Sequence, residues 1–355
     1  MKKALALSMV LILVLSLLSG CSSNKQASEG DQSQTLTVAM MPFGGNVPAQ
    51  YAFDQGWFKE EGLNVKFVML ANGADINEAL AAKKVDVAVS GLAMVMSLAS
   101  GTCKWVAETN NSGGMGLYVR EDSPVLKQKG QVKGKPNMYG SPDTLKGITI
   151  LGQLGTSSQY AAEGWAKQFG LTGKDIKFVN VGLGTDLQTF IAGNGDGLSA
   201  SRPFSFQAAR KGFVEAASFE DATGISLNDG IVVRTEVLAQ KKAAVEKFLK
   251  QYFRAAEALQ NNAELRFTYS QSFFAKNGRT YSDDDMRAEI KCQHYILKKD
   301  ITEPSYAFGE AMIKIGQFYS EAGKIEKEKV ANIVKSFEPG LINSVLGINM
   351  KVAKE

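Results

Sequence analysis

The chain is predicted to be an α/β protein built as two lobes, and three observations predict it. From Leu36 to Ser97 the sequence alternates β-rich and helical runs as β-α-β-α-β-α, the order of a parallel sheet with helical crossovers. A second series of the same kind runs from Ile148 to Gly212. The length of 355 residues allows two lobes, and 45% hydrophobic residues with 35 glycines suit a packed chain that turns often.

In the first series Leu36–Met41 is a strand that breaks at Pro42 and Gly44-Gly45. Pro48 opens a helix, where its missing N–H is no loss, and Ala49–Glu60 continues it until Gly62. Asn64–Leu70 reads as a strand, Ile76–Ala82 as a helix and Val85–Val89 as a strand, with another helix after Ser90-Gly91. Lys104–Thr109 is a fourth strand, interrupted by Asn110–Gly114, and Leu117–Arg120 resumes an extended run. Lys127–Asp143, with Pro136 and Pro142, reads as surface loop. The second series places strands at Ile148–Leu151, Ile176–Val181 and Leu198–Ala200, with helices at Tyr160–Phe169, Leu187–Ala192 and Ser205–Gly212. Gly230–Arg234 returns as a strand, Glu236–Gln260 is a helix, and Ala263–Glu355 reads as helices packed on the first lobe. This divides the chain into a first lobe of residues 35–122 and 228–355 and a second of 123–227, joined by a two-strand hinge near Leu117–Arg120 and Gly230–Arg234.

Residues 1–20 carry Lys2 and Lys3, an apolar core from Ala4 to Leu18 and a small-residue end, the pattern of a secretory leader. The apolar core falls short of the ~20 residues a membrane span needs. Residues 21–34 (CSSNKQASEGDQSQ) hold no large apolar side chain and read as a flexible tether. The word "LSGC" resembles a bacterial lipoprotein box, which implies cleavage before Cys21 and a lipid on its sulfur; the plainer reading is an ordinary leader followed by a chance cysteine.

The words "GWFKEEGLNV" and "ALAAKKVDVAVSGLAMVMSLASG", then Glu121–Pro124 and Thr144–Gly147, resemble the type II periplasmic binding proteins from about Leu36 to Phe253. The nearest group is the nitrate, sulfonate, taurine and thiamine-pyrimidine-precursor binders. That resemblance implies a two-lobed fold with a parallel-rich sheet in each lobe. It also implies an extracytoplasmic, lipid-anchored, monomeric solute-binding protein that delivers a small molecule to an ABC permease and ATPase.

Ligands of open α/β sheets bind beyond the carboxyl ends of the strands. Five loops stand at such ends: Pro42–Val47, Ser90–Leu92, Asn110–Gly114, Gly152–Ser158 and Ser201–Phe204. The candidate ligand-binding residues are therefore Phe43, Gly45, Asn46, Ser90, Gly91, Asn111, Ser112, Gly155, Thr156, Ser157, Arg202 and Phe204. The turn at Gly155–Ser158 precedes a helix whose first N–H groups and positive dipole end suit an anion; its plainer reading is an N-cap alone. Arg202 replaces an acid that the family commonly shows here, and it suits a carboxylate or sulfonate; its plainer reading is an ion pair with a nearby acid. A small organic anion is the expected ligand, with a neutral aromatic or pyrimidine as the alternative.

Nothing in the sequence calls for catalysis, a metal or a cofactor. His294 is the one histidine, expected on a helix, and Cys103 and Cys292 stand far apart, expected as mostly buried free thiols. Asp283-Asp284-Asp285 reads as a helix start and lacks a calcium loop's glycine and terminal glutamate. A net charge of +4 without a basic stripe gives no case for nucleic acid. A pyrimidine-synthase-like enzyme and a receptor without a transporter are the rivals from other classes.

Overall fold

Every strand of the opening series enters one sheet. In this computed structural model, which describes residues 34–354, β1 (Thr35–Met40), β2 (Asn64–Met69) and β3 (Val87–Ser90) run parallel with β1 in the middle. The leader, Cys21 and the tether up to residue 33 lie outside the described residues. Labelling α-helices of seven or more residues in chain order, α1 (Val47–Asp54) and α2 (Gly73–Ala81) make the crossovers. Asn72 caps α2 by accepting from the backbone N–H groups of Ala74 and Asp75. The helix after Pro48 is shorter than expected. It stops at Asp54, because Gly56 is left-handed (φ 76°), and Trp57–Glu60 forms a separate short helix.

The remaining strands of this sheet pair antiparallel. β4 (Cys103–Ser112) and β10 (Asn228–Arg234) lie beside β3, and β11 (Gln293–Tyr295) forms the edge, in the order β11-β4-β10-β3-β1-β2. β4 continues through Asn110–Ser112, where a break was expected. Asn110 Nδ2 donates to Asp229 Oδ2 (2.6 Å) on β10, and Ser112 Oγ donates to the same oxygen (3.0 Å), so cross-strand bonds override the poor β propensity of these residues. β11 falls where helices alone were expected, and it carries His294 on a strand, with Nε2 3.0 Å from Asp300 Oδ2. Three residues are too few for a periodic signal; pairing with the free edge of β4 makes the strand.

The second sheet has five strands: β5 (Gly116–Val119), β6 (Thr149–Gly152), β7 (Lys177–Asn180), β8 (Gly197–Ala200) and β9 (Val214–Ser218), in the order β7-β6-β8-β5-β9. β6 is parallel to β7 and β8, while β5 pairs antiparallel with β8 and β9. Its helices include α3 (Ser157–Gln168), α4 (Thr185–Ile191) and α5 (Phe204–Arg210). Both sheets are thus mixed: parallel within each βαβ series, antiparallel where a strand has passed between lobes. The passages lie at residues 113–115 and 224–227. β5 therefore belongs to the second sheet, where a boundary at residue 122 was expected, and Gly113-Gly114, with Gly114 at φ 74°, makes the turn. The segment read as surface loop buries Met138 in the core.

The C-terminal third adds α6 (Thr235–Gln260), α7 (Ala263–Lys276), α8 (Asp283–Cys292), α9 (Glu310–Glu321) and α10 (Gly340–Leu346). The three aspartates do start a helix, with Ser282 Oγ accepting from Asp285 N. Against the first sheet, Phe248 of α6 stacks on Phe58 and Tyr252 donates to Gly45 O (2.6 Å). This segment does more than cover the first lobe: α8 and α9 also reach the second.

Candidate functional site

Strand ends of both sheets open into one cleft of about 970 Å³, continuous with solvent. Among the residues expected to bind a ligand, Phe43, Ser90, Gly91, Ser112, Thr156, Ser157 and Arg202 line it. The cleft lining does not include Gly45, Asn46, Asn111, Gly155 or Phe204, and each has local work instead. Asn46 is fully buried and donates to Met41 O (2.9 Å) and Val89 O (3.2 Å), tying the ends of β1 and β3 together. A Cβ on Gly45 would stand 2.5 Å from Asn110 Oδ1, so glycine there permits close packing. Asn111 faces Asn228 on another surface. Gly155 takes a left-handed turn (φ 70°) whose N–H donates to Gln159 Oε1, and the Phe204 ring packs over Gly184.

The start of α3 is partly self-satisfied. Thr156 Oγ1 accepts from Ser158 N (3.2 Å) and donates to Gln153 O (2.9 Å), while Ser158 Oγ donates to Ser199 O (3.0 Å). The plainer reading, an N-cap, accounts for the Thr156 hydroxyl. Arg202 also follows its plainer reading: Nη1 lies 3.1 Å from Glu289 Oε1, and the two side chains are only 10% and 5% exposed. Its aliphatic stem passes over Gly114, where a Cβ would be 2.9 Å from Cδ.

Five charged residues line the cleft: Asp186, Asp229, Glu289, Arg202 and Arg279, with Tyr281 beside the last. Of these, sequence reasoning named Arg202 alone. Arg279, Tyr281 and Glu289 come from the C-terminal third, which no strand-end argument pointed to. Asp229 lies inside β10, where the word "LNDGIVV" offers only an acid in a strand, and Asp186 reads as an ordinary first-turn acid of α4. Burial pushes the Asp229 carboxyl up to about 6, against the opposing bonds from Asn110 and Ser112. Burial likewise pushes Asp186 up to about 6, although its Oδ1 accepts from Gly184 N (2.9 Å) and Leu187 N (2.7 Å). Arg279 is held below the usual guanidinium range by burial and makes no ion pair among the described residues. The Ser90 hydroxyl is buried at the cleft wall with no hydrogen-bond partner. Cys103 is buried and Cys292 half-buried, both free. Among the described residues no group of His, Cys, Asp and Glu is placed to hold a metal, and no helix is long and apolar enough to cross a membrane.

The family model described as the NMT1-like family matches residues 29–271. A protein of Brachyspira hyodysenteriae, named as an ABC transporter periplasmic binding protein, is 28% identical over 340 residues, covering 96% of this chain and 97% of its own. The alkanesulfonate-binding protein from Xanthomonas axonopodis pv. citri, solved bound to MOPS, superposes with a TM-score of 0.65 at 14% identity, covering 86% of this chain and 98% of its own. The periplasmic nitrate-binding protein from Synechocystis PCC 6803 gives 0.67 at 14% identity, with 88% of each chain covered. These two likenesses show the periplasmic binding protein fold.

Proposed function

The chain belongs to the NMT1-like family, and from that premise we propose that it is the substrate-binding protein of an ABC importer. It captures a small organic acid between its lobes and presents the closed form to a membrane permease. The observation that carries this reading is the cleft lined from both sheets. The name of the Brachyspira relative, which covers nearly the whole chain, supports the transport role. The acid end of the ligand is taken by Arg279, a cleft guanidinium that makes no ion pair among the described residues, together with the N–H groups at the start of α3 that its own cap leaves free. Arg202, expected to clamp the anion, is the partner of Glu289 instead. The protein works outside the cytoplasm, held to the membrane by lipid on Cys21, and performs no chemistry on its ligand.

A thermal-shift screen of the purified protein against sulfonates, carboxylates, nitrate and pyrimidines tests the reading. A ligand at a hundredfold its Kd stabilises the native state by about 2.7 kcal/mol. Stabilisation by acids that Arg279→Ala abolishes is the expected result; stabilisation by uncharged pyrimidines alone overturns the acid and favours the alternative. Cys21→Ala is expected to release the protein from membranes or leave an unprocessed precursor.

A further inference from the structure

The turn that opens α3 is held by polar side chains that do not line the cleft. Gly155 N donates to Gln159 Oε1 (3.0 Å), Gln159 Nε2 donates to Glu163 Oε1 (2.5 Å), and Lys324 Nζ donates to the same oxygen (2.9 Å). Gln159 and Glu163 are only 5% and 7% exposed, and Thr156, Ser157 and Ser158 are the residues of this stretch that face the cleft. The order of donors and acceptors is forced. A carboxylate only accepts, so Glu163 turns the Gln159 NH2 group toward itself and leaves the Gln159 carbonyl oxygen facing the Gly155 N–H. Lys324, from the loop after α9, supplies the opposite charge that a buried carboxylate needs. A Cβ at Gly173 would stand 2.8 Å from Glu163 Cδ, so glycine there leaves the carboxylate its room. A second tie meets the next residue of the turn. Tyr319 Oη donates to Thr156 O (3.0 Å) and Lys324 N donates to Tyr319 O (2.8 Å), so both ties start from one corner of the C-terminal third.

We infer that Gln159, Glu163 and Lys324 are positioning residues for the ligand, a relay by which the C-terminal third fixes the Gly155–Thr156 turn and the donors that α3 presents to the cleft. This rests on the reading of the cleft as the solute site. The relay acts in two ways. Gln159 takes up the Gly155 N–H, which holds Gly155 left-handed (φ 70°) and keeps Thr156 and Ser157 on the cleft wall. Lys324 offsets the charge of Glu163, which stands less than two turns, about 9 Å, along α3 from Ser157 and would otherwise oppose an anion there.

Amide exchange followed by NMR in the ligand-free protein tests the relay directly. Gln159→Leu is expected to speed exchange of the Gly155 N–H by roughly three- to tenfold, and Lys324→Met to speed it by a smaller factor. Lys324→Arg, which keeps the charge, is expected to restore the protection. Lys167→Ala, which removes only the neighbouring Lys167–Glu321 pair, is expected to leave it as in the parent. The Lys324 side chain is 33% exposed, so its variants decide the question even if Gln159→Leu does not fold. Gly155 exchange in Lys324→Met equal to the parent's overturns the relay, and so does exchange that rises equally along Tyr160–Gln168, the mark of a merely structural part. Calorimetry with ethanesulfonate and propanoate then reads the cleft. Lys324→Met is expected to weaken binding by roughly three- to tenfold, and adding Glu163→Gln to recover the part owed to charge. Unchanged affinity in Lys324→Met, with Gly155 exchange altered, overturns the service to the ligand. Binding of neither probe by the parent overturns the acid end of the ligand and with it the charge part of the relay, while the exchange result still decides the turn.

Discussion

Two bridges cross from the C-terminal third to the second lobe, and they are built from opposite materials. At α8 the bridge is ionic. Glu289 holds Arg202, and Asp285 holds Arg210 through both oxygens, with Nη2 to Oδ2 at 2.6 Å. At α9 it is mainly aromatic. Phe318 packs edge-on against Tyr160 of α3 at 4.5 Å, and Tyr319 donates from its hydroxyl to Thr156 O (3.0 Å). Lys324–Glu163 (2.9 Å) and Lys167–Glu321 (2.5 Å) flank it. The ionic bridge reaches the cleft, since Arg202 and Glu289 both line it, so an incoming charged group acts on that pair directly. The hydroxyl bond of the aromatic bridge falls on the carbonyl of the residue that caps α3. Among the described residues the lobes are therefore linked by these two groups of side-chain contacts as well as by the chain passages.

The largest effect is expected from breaking the ionic bridge one partner at a time. Arg202→Ala leaves Glu289 buried without its cation, which costs about 3–5 kcal/mol and should lower the melting temperature of the empty protein. Adding Glu289→Gln to Arg202→Ala should recover much of the loss. A single variant that melts with the parent would show that solvent already screens the pair.

Next in size is a pH dependence centred behind the aromatic bridge. Glu108 on β4 accepts from Tyr306 Oη (2.7 Å) and Gly309 N (3.1 Å), the residues that lead into α9, and from Asn228 at the return passage (3.3 Å). Burial outweighs these bonds and pushes its carboxyl up to about 7. A carboxyl raised in the folded state favours folding below the unfolded value near 4.5, and that contribution is lost as pH rises through about 7. Denaturant melts should show stability falling between pH 5 and 8 by an amount on the order of a few kcal/mol, and Glu108→Gln should flatten most of that slope. Asp229 and Asp186, both raised by burial to about 6, add to the slope with the same sign at lower pH.

The contrast between the bridges also explains what the sequence could reveal. β1 to β3 were legible because residues such as Val38, Ala39, Val87 and Val89 are apolar on both faces between clear turn signals. The loops at Phe43, Ser90 and Thr156 followed from strand order alone. Asn110–Ser112 read as a break because propensity is local, whereas the Asp229 carboxylate that makes them a strand lies 117 to 119 residues away. Arg202 was singled out as a charge at a strand end, but its partner's segment lies 87 residues on, in a stretch that carries no family word. No local signal distinguishes Glu289 from any other acid on a polar helix face, so the plainer reading of Arg202 was available in kind while its partner was not.

Within the aromatic bridge, Tyr319→Phe removes the hydroxyl and keeps the ring. Thr156 O then loses one donor at a half-exposed position, which corresponds to about 0.5–1.5 kcal/mol. The ring contact with Phe318 and Tyr160 stays, so the lobes should remain bridged and ligand affinity should change by less than the effect of Arg202→Ala.

The smallest effect separates contact from contribution. Lys167 and Glu321 approach as closely as any pair in the aromatic bridge, yet their side chains are 56% and 64% exposed. Two long side chains must be held in one geometry, water screens the attraction, and such pairs contribute roughly 0–1 kcal/mol. Lys167→Ala should therefore change stability by less than Tyr319→Phe, and the difference from the parent should vanish as salt is raised toward ~1 M, where the screening length falls to about 3 Å. Arg202→Ala should keep its deficit at the same salt, because its pair is buried. Equal salt sensitivity in the two variants would mean that the Arg202–Glu289 pair is as solvated as the surface one, and the distinction between a bridge that reads the cleft and one that merely spans it would be lost.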